Sequence, residues 1–384
     1  MLAETDDIYY KLAKHLRRMP IDYPPTQSGI EIKILKHYFT PKEATVALLL
    51  GVLPDPLKVI NRRLKKAGIA MTKEELEETL DGMVQKGSIA GGAMYADRGQ
   101  ERYYSNIHLA VGMHEFHVDK LTKEYVQDLE QYMEEGFFRA FHNKATPQMR
   151  TIPVEKSIIS EKYIADYNSI RKIIEKMEGP IAVFNCICKQ GMDLLDQPCK
   201  QTELREVCIA VGSGAEHFKN ELGVARFISK DELFELLDRF EEDGLVLQPD
   251  NSKNPSFICA CCKCCCGVLR SVKLLDHPAD YLAVNYYATV DVELCKGCKT
   301  CLKRCQMDAI QIKDGKSSVN SDLCIGCGLC VVKCPANAIR LRKKAKQKIP
   351  PKDMMDKYRK ILMQRRGVLG TTKMVFDLLL GRRI

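Results

Sequence analysis

The 384-residue chain has no tryptophan, and aromatic residues make up only 7% of it. It has no cysteine before residue 186. No apolar run approaches the ~18 residues of a membrane-spanning helix; the best, residues 46–53, is broken by Gly51. The first ten residues, MLAETDDIYY, are acidic where a secretory leader is basic and then apolar, which leads us to expect a cytoplasmic protein. A hydrophobic fraction of 45% with 28% charged residues excludes a disordered or collagen-like chain. At ~100 to 200 residues per domain, the length leads us to expect two to four domains.

All eighteen cysteines fall between Cys186 and Cys334. A reducing compartment does not keep disulfides, so this density points to metal or redox chemistry.

The formal net charge is +9. Residues 341–384 alone hold fourteen Lys or Arg against three Asp, a net of +11, so residues 1–340 carry −2. The body is acidic and only the tail is basic, which argues against nucleic acid as the reason for the charge.

The N-terminal part reads as helices over 6–19 and 27–39, followed by three short helical patterns divided by Pro and Gly. The third opens on a capping-box pair, Thr72 and Glu75. Two strands around a turn at Asp97, Arg98 and Gly99 come next, giving the element order of a winged helix. The helix before the wing carries Glu74, Glu75, Glu77, Glu78 and Asp81 against Lys73 and Lys86, a face that phosphates would repel. A further amphipathic helix is expected over 119–142, then a polar linker. Beyond it we expect a helix over 160–177, a strand in IAVFNCI, a helix over 202–211, and a helix capped by Ser229 and Glu232 leading into a strand. Gly212 and Gly214 read as turn residues. His114 and His117 lack metal-motif spacing and read as a polar edge.

The strongest signal is an internal repeat. Cys295, Cys298, Cys301 and Cys305 match Cys324, Cys327, Cys330 and Cys334 at a constant offset of 29, as Ala309 and Ile310 match Ala338 and Ile339. Each unit is C-x2-C-x2-C-x3-C, and the second runs on into Pro335. Residues 287–342 closely resemble bacterial dicluster ferredoxins, with Gln306 standing where that family usually has Pro. Two [4Fe-4S] clusters are expected. Three cysteines in a tight loop present sulfur to one cubane, while the fourth opens a helix aimed at the other. Cluster one is then held by Cys295, Cys298, Cys301 and Cys334, and cluster two by Cys324, Cys327, Cys330 and Cys305. A zinc ribbon also uses C-x2-C, but not four evenly spaced cysteines twice over.

Ten cysteines remain: Cys186, Cys188, Cys199 and Cys208, then Cys259, Cys261, Cys262, Cys264, Cys265 and Cys266. Six near-adjacent thiols alternate faces and cannot all be inert core residues. At least one further metal site is expected, a third iron–sulfur cluster with zinc as the alternative. Cys265, Cys266 and Gly267 resemble the CCG element of heterodisulfide reductase, with different surrounding spacing.

The whole arrangement is similar to a group of multi-domain iron–sulfur proteins of anaerobic bacteria and archaea. That resemblance implies electron transfer with redox partner proteins inside oxidoreductase complexes. The expected fold is a multi-domain α+β chain. It comprises a helical winged-helix-like domain (1–142), a cysteine-rich α+β domain (143–286), a ferredoxin domain (287–342) and a basic amphipathic tail (343–384). The tail has Met354, Tyr358, Ile361 and Leu362 on one face; it could pack on its own body, dock a partner, or touch a membrane surface peripherally. A redox-sensing regulator that binds DNA, and two-electron thiol or disulfide chemistry at the extra cluster, are the alternative functions.

Overall fold

A computed structural model describes residues 4–99, 101–158 and 164–379. The fold is mixed α/β and forms two compact units. One comprises Met1–Phe141, Ser213–Arg226 and Tyr358–Ile384, the other His142–Gly212 and Phe227–Lys357. No helix among the described residues is long and apolar enough to cross a membrane.

In the first unit, the helix Lys73–Lys86 starts where Thr72 accepts from the Glu75 N–H at 3.1 Å and Glu75 accepts from the Thr72 N–H at 2.8 Å. It stops at Gly87, whose φ of 89° suits a residue without Cβ. Leu76, Leu80, Met83 and Val84 form its buried stripe. Strands β1 (Asp55–Pro56), β2 (Ala90–Gly91) and β3 (Tyr103–Ser105) form an antiparallel sheet of order β1-β3-β2. The two strands expected around Gly99 are therefore short, and a 3-10 turn over Gly92–Arg98 fills the space between them. The helix expected over 119–142 begins at Lys123 and passes through one wide turn, Met133–Phe137, before ending at Phe141. Gly214 lies in a helical turn, Ser213–Glu216, rather than in a loop. His114 and His117 are both engaged, with Tyr125 Oη at 2.9 Å and the Met113 carbonyl at 2.8 Å.

The tail forms the helix Met354–Leu379, broken at Gly367. In the first unit Tyr358, Ile361 and Leu362 are buried, and Arg365 pairs with Asp22 at 2.9 Å. Three of the four residues of the face that looked amphipathic are thus buried, and Met354 is half-buried. Arg382 and Arg383 lie outside the described residues.

The second unit is built on a sheet of order β6-β4-β5-β8-β7, comprising β4 (Ile181–Asn185), β5 (Glu206–Val211), β6 (Ala225–Ile228), β7 (Val246–Pro249) and β8 (Phe257–Cys261). The helix expected over 202–211 is instead the buried strand β5. Val207, Cys208, Ile209 and Ala210 are all buried, and a short continuous apolar run does not distinguish a helix from a central strand. The helix expected over 160–177 shrinks to Ile170–Glu175 after a 3-10 turn at Asp166–Asn168, and residues 159–163 lie outside the described residues. The helix Lys230–Asp243 starts where Ser229 accepts from the Glu232 N–H.

Strand alternation gives this sheet two different faces. Val183, Ile209 and Ile258 form one cross-strand row within an apolar core that includes Ile173, Ile174, Leu233, Leu237 and Phe240 of the two helices. The next row, Phe184, Cys208, Cys259 and Gln248, points to the opposite face.

Two hairpin-like pairs complete the unit: β9 (Tyr286–Val290) with β12 (Ile339–Lys343), and β10 (Ile310–Lys313) with β11 (Lys316–Val319). Ile339 faces Val290 as Ile310 faces Val319, so the 29-residue offset in the sequence is also an offset in strand register.

Candidate metal centres

Two hollows lie in the repeat. One is lined by Cys295, Cys298, Cys301 and Cys334. The other is lined by Cys305, Cys324, Cys327 and Cys330. Each gathers three cysteines from one repeat and the fourth from the other.

Backbone N–H groups reach these sulfurs in matched pairs. Ser317 N–H donates to Cys295 Sγ at 3.4 Å, and its counterpart Ala288 to Cys324 at 3.3 Å. Ala309 donates to Cys305 and Ala338 to Cys334, each at 3.3 Å. Such donors stabilise thiolate charge, and they fit these hollows to iron–sulfur ligation. Gly297 and Gly326 make the tight loops possible, with φ of 63° and 64°. A Cβ on Gly297 would lie 2.0 Å from the Gly315 carbonyl oxygen, and one on Gly326 2.3 Å from that of Tyr286.

The two hollows differ in surroundings. Cys298 is exposed, and backbone N–H groups lower the Cys295 and Cys298 pKa values. Burial instead pushes the Cys327 thiol up to about 12 and raises Cys330 well above its ordinary value.

The ten remaining cysteines separate into two sets. Cys199, Cys262, Cys264 and Cys265 place their sulfurs within 4.8 Å of one another. Their contacts include 3.6 Å between Cys199 and Cys262, and 3.4 Å between Cys262 and Cys264. A tetrahedral ion with metal–sulfur bonds of ~2.3 Å has sulfurs ~3.8 Å apart, so this spacing suits one ion better than a cubane, whose thiolates sit on separate irons. The buried Lys189 donates to Cys199 at 2.8 Å and to Cys262 at 3.4 Å. Burial opposes the ammonium charge, but the two thiols outweigh it and raise the Lys189 pKa. Contacts with Cys262 and Cys265, then Lys189, hold Cys199 far below the usual thiol range.

Cys186, Cys188, Cys208, Cys259, Cys261 and Cys266 make up the second set. Cys186 precedes the helix Ile187–Leu194, in which Cys188 lies. Cys208, Cys259 and Cys261 come from β5 and β8, and Cys266 precedes the helix Gly267–Val272. Sequence neighbours thus go to different sets: Cys261 beside Cys262, and Cys265 beside Cys266.

Lys263, inside the four-thiol loop, donates its N–H to Gln306 Oε1 at 2.9 Å, and Gln306 Nε2 donates to Gln201 Oε1 at 3.1 Å. Gln306 follows Cys305, so this buried amide joins the loop to the repeat. Its role was not legible in the sequence, where it stood only as a departure from Pro. Lys189 was missed as well. The only hint of it was its place next to Cys188.

Residues 288–341 match the family model of the 4Fe-4S dicluster domain. This segment is a ferredoxin-type dicluster domain, and the chain is an iron–sulfur protein with the equipment of an electron carrier. No curated protein matches the chain.

Proposed function

We propose that the protein carries single electrons through two [4Fe-4S] clusters, as a subunit or redox partner of an oxidoreductase complex. The observation that carries this reading is the crossed gathering of cysteines into two hollows. Cys295, Cys298, Cys301 and Cys334 hold one cluster; Cys324, Cys327, Cys330 and Cys305 hold the other. Bound there, the clusters supply one-electron redox chemistry. The chain's own part is to fix the thiols, direct N–H groups at them and set solvent access.

The exposed Cys298 marks the side where a partner docks. Val292, Leu294 and Leu302 are exposed in the chain around it, where the exposed Lys296, Lys299 and Lys303 outnumber the exposed Asp291 and Glu293. Apolar contacts rimmed by lysines suit an acidic redox protein. The four-thiol set holds a further, single tetrahedral metal, and the Lys263–Gln306 bond ties it to the cluster-two side.

The strand order β1-β3-β2 after a helix, strand, helix, helix sequence supports the winged-helix reading of the first unit. The acidic helix Lys73–Lys86 argues for a protein-docking role rather than a DNA-binding one.

The test is iron, sulfide and zinc analysis of anaerobically purified protein, with EPR of the reduced form. Dicluster loading requires at least about eight irons per chain and two interacting signals. Fewer irons would refute the reading. Replacing Lys296, Lys299 and Lys303 by Glu should slow reduction by an acidic ferredoxin or flavodoxin at low salt and leave iron content unchanged.

A further inference from the structure

The six cysteines outside the four-thiol set close into a ring of neighbours. Cys186 contacts Cys188 and Cys208, and Cys208 contacts Cys259. Cys259 contacts Cys261, Cys261 contacts Cys266, and Cys266 contacts Cys188, which completes the circuit. Three segments of chain build it: the start of the helix Ile187–Leu194 with the residue before it, β5, and β8 with the stretch that runs on to the helix Gly267–Val272.

Two simpler explanations fail. Inert burial accounts for isolated cysteines, which behave as small hydrophobes, but does not account for six sulfurs from three segments that neighbour one another in a closed circuit. A single ion is also excluded. Among the described residues, only the four-thiol set has its ligand atoms all within 4.8 Å of one another, so no three sulfurs of the ring meet that spacing. Sulfurs that neighbour one another in pairs, with no compact group of three, ask for several ions rather than one.

A second observation points into the ring. Gln248 is fully buried and lies directly across from Cys259 in the β7–β8 pairing, on the same face of the sheet. Its Oε1 is 4.0 Å from Cys266 Sγ, and its Nε2 is buried without a partner. A buried amide donor left without a partner is destabilising, and a sulfur acceptor held by the ring would satisfy it. The backbone N–H of Leu269 also faces a ring sulfur, at Cys266, as N–H groups face the sulfurs of the dicluster hollows.

We propose that Cys186, Cys188, Cys208, Cys259, Cys261 and Cys266 hold a polynuclear iron–sulfur centre, with Gln248 donating a hydrogen bond to it. This site is separate from the four-thiol site, although Cys261–Cys262 and Cys265–Cys266 place the two one peptide apart. It does not depend on the electron-carrier reading, because its ligands are distinct from those of the dicluster domain.

The test uses full-length protein purified without oxygen. Iodoacetamide labelling of the native protein, read by mass spectrometry, should spare all six ring cysteines until a chelator and denaturant are added. Cys208→Ala together with Cys259→Ala should lower iron by at least about two atoms per chain, the minimum for a polynuclear centre, with sulfide falling alongside. The dicluster EPR signals should persist, so failure here and failure of the dicluster assignment are separable. Gln248→Leu keeps every thiol and should move one visible or EPR feature without changing iron content. Labelling of the ring cysteines in the native holoprotein would overturn the proposal. So would loss of zinc or copper instead of iron in a folded double variant, or an unchanged spectrum in Gln248→Leu.

Discussion

The Lys263 backbone N–H and the Gln306 side-chain oxygen lie 2.9 Å apart, although 43 residues separate them in the chain. Lys263 sits between two cysteines of the four-thiol set, and Gln306 follows a cysteine of the dicluster domain. One buried amide, beside the Lys263–Asp308 ion pair at 2.6 Å, thus joins the four-thiol segment to the dicluster domain.

Replacing Gln306 by Met should therefore cost more than its volume suggests. The Lys263 N–H and the Gln201 side-chain oxygen, both half-buried, would lose their partner, at ~1 kcal/mol each. Anaerobic urea unfolding should show a lower midpoint, and electron exchange between the four-thiol segment and the clusters should slow if that metal is iron. Gln306→Pro, which restores the residue of the resembling ferredoxins, should destabilise equally. A Pro variant as stable as the wild type would show that the amide does not hold the loop.

The paired glycines give a test that separates the two hollows. In Gly297→Ala, Cβ is driven into the Gly315 carbonyl oxygen, and in Gly326→Ala into that of Tyr286, both from a φ that L-residues rarely adopt. Each variant should lose about four irons per chain, one cubane's worth. Gly297→Ala should remove the signal of the more exposed cluster and Gly326→Ala that of the buried one. Loss of both signals in either variant would mean that the hollows assemble as one unit.

The contrast in burial also orders the potentials. Reduction adds negative charge, which solvent at the exposed Cys298 and the nearby Lys296, Lys299 and Lys303 favour there over the other hollow, none of whose four cysteines is exposed. Redox titration followed by EPR should place the cluster at Cys295, Cys298, Cys301 and Cys334 at the higher midpoint. A reversed order, assigned with the glycine variants, would count against docking at Cys298.

Much of this was legible from spacing. The 29-residue repeat appears as cysteine offsets, as strand register and as paired positive-φ residues such as Asp308 and Asn337, because one local geometry was used twice. The capping box at Thr72 and the cap at Ser229 were legible for the same reason: they are decided within four residues. Strand β5 was not, because burial on both faces erases the period-two alternation that marks a strand. The division of ten cysteines into four and six was hidden too. It depends on which way each residue of CACCKCCC turns at the end of β8, and on Cys186, Cys188, Cys199 and Cys208 arriving from elsewhere.

The pH dependence of stability should carry the signature of His142. Its imidazole is buried, with Nε2 2.8 Å from Ser271 Oγ, and burial lowers its pKa to about 4. The unfolded chain takes up a proton near pH ~6.5 that the folded chain refuses. The stabilising effect is therefore complete above pH ~6.5 and is lost as pH falls toward about 4, amounting to ~3 kcal/mol in all. In His142→Gln, denaturant unfolding between pH 7.5 and 5 should show a slope shallower by about one proton. An unchanged slope would mean that His142 does not titrate between the two states.

Lys357 and Asp250 make the most consequential ion pair outside the metal centres. Their charged atoms lie 3.5 Å apart, and the side chains are 1% and 0% exposed. Lys357 also donates to the Gln148 carbonyl at 3.4 Å, and burial lowers its pKa. Removing one partner leaves a buried charge with nothing to balance it, which costs ~3–5 kcal/mol, whereas removing both at similar volume is close to neutral. Lys357→Met should accordingly lower the unfolding free energy of the second unit by that amount. Adding Asp250→Asn should return most of it, because Asn keeps the acceptor that holds the Ser256 N–H at 2.8 Å. Because Asp250 acts on Cys259 of the six-thiol ring, Lys357→Met should also shift the spectrum of any centre bound there. A double variant no more stable than Lys357→Met would show that the lysine acts through contacts other than its pairing with Asp250, such as its ammonium 5.8 Å from the centre of the Phe257 ring.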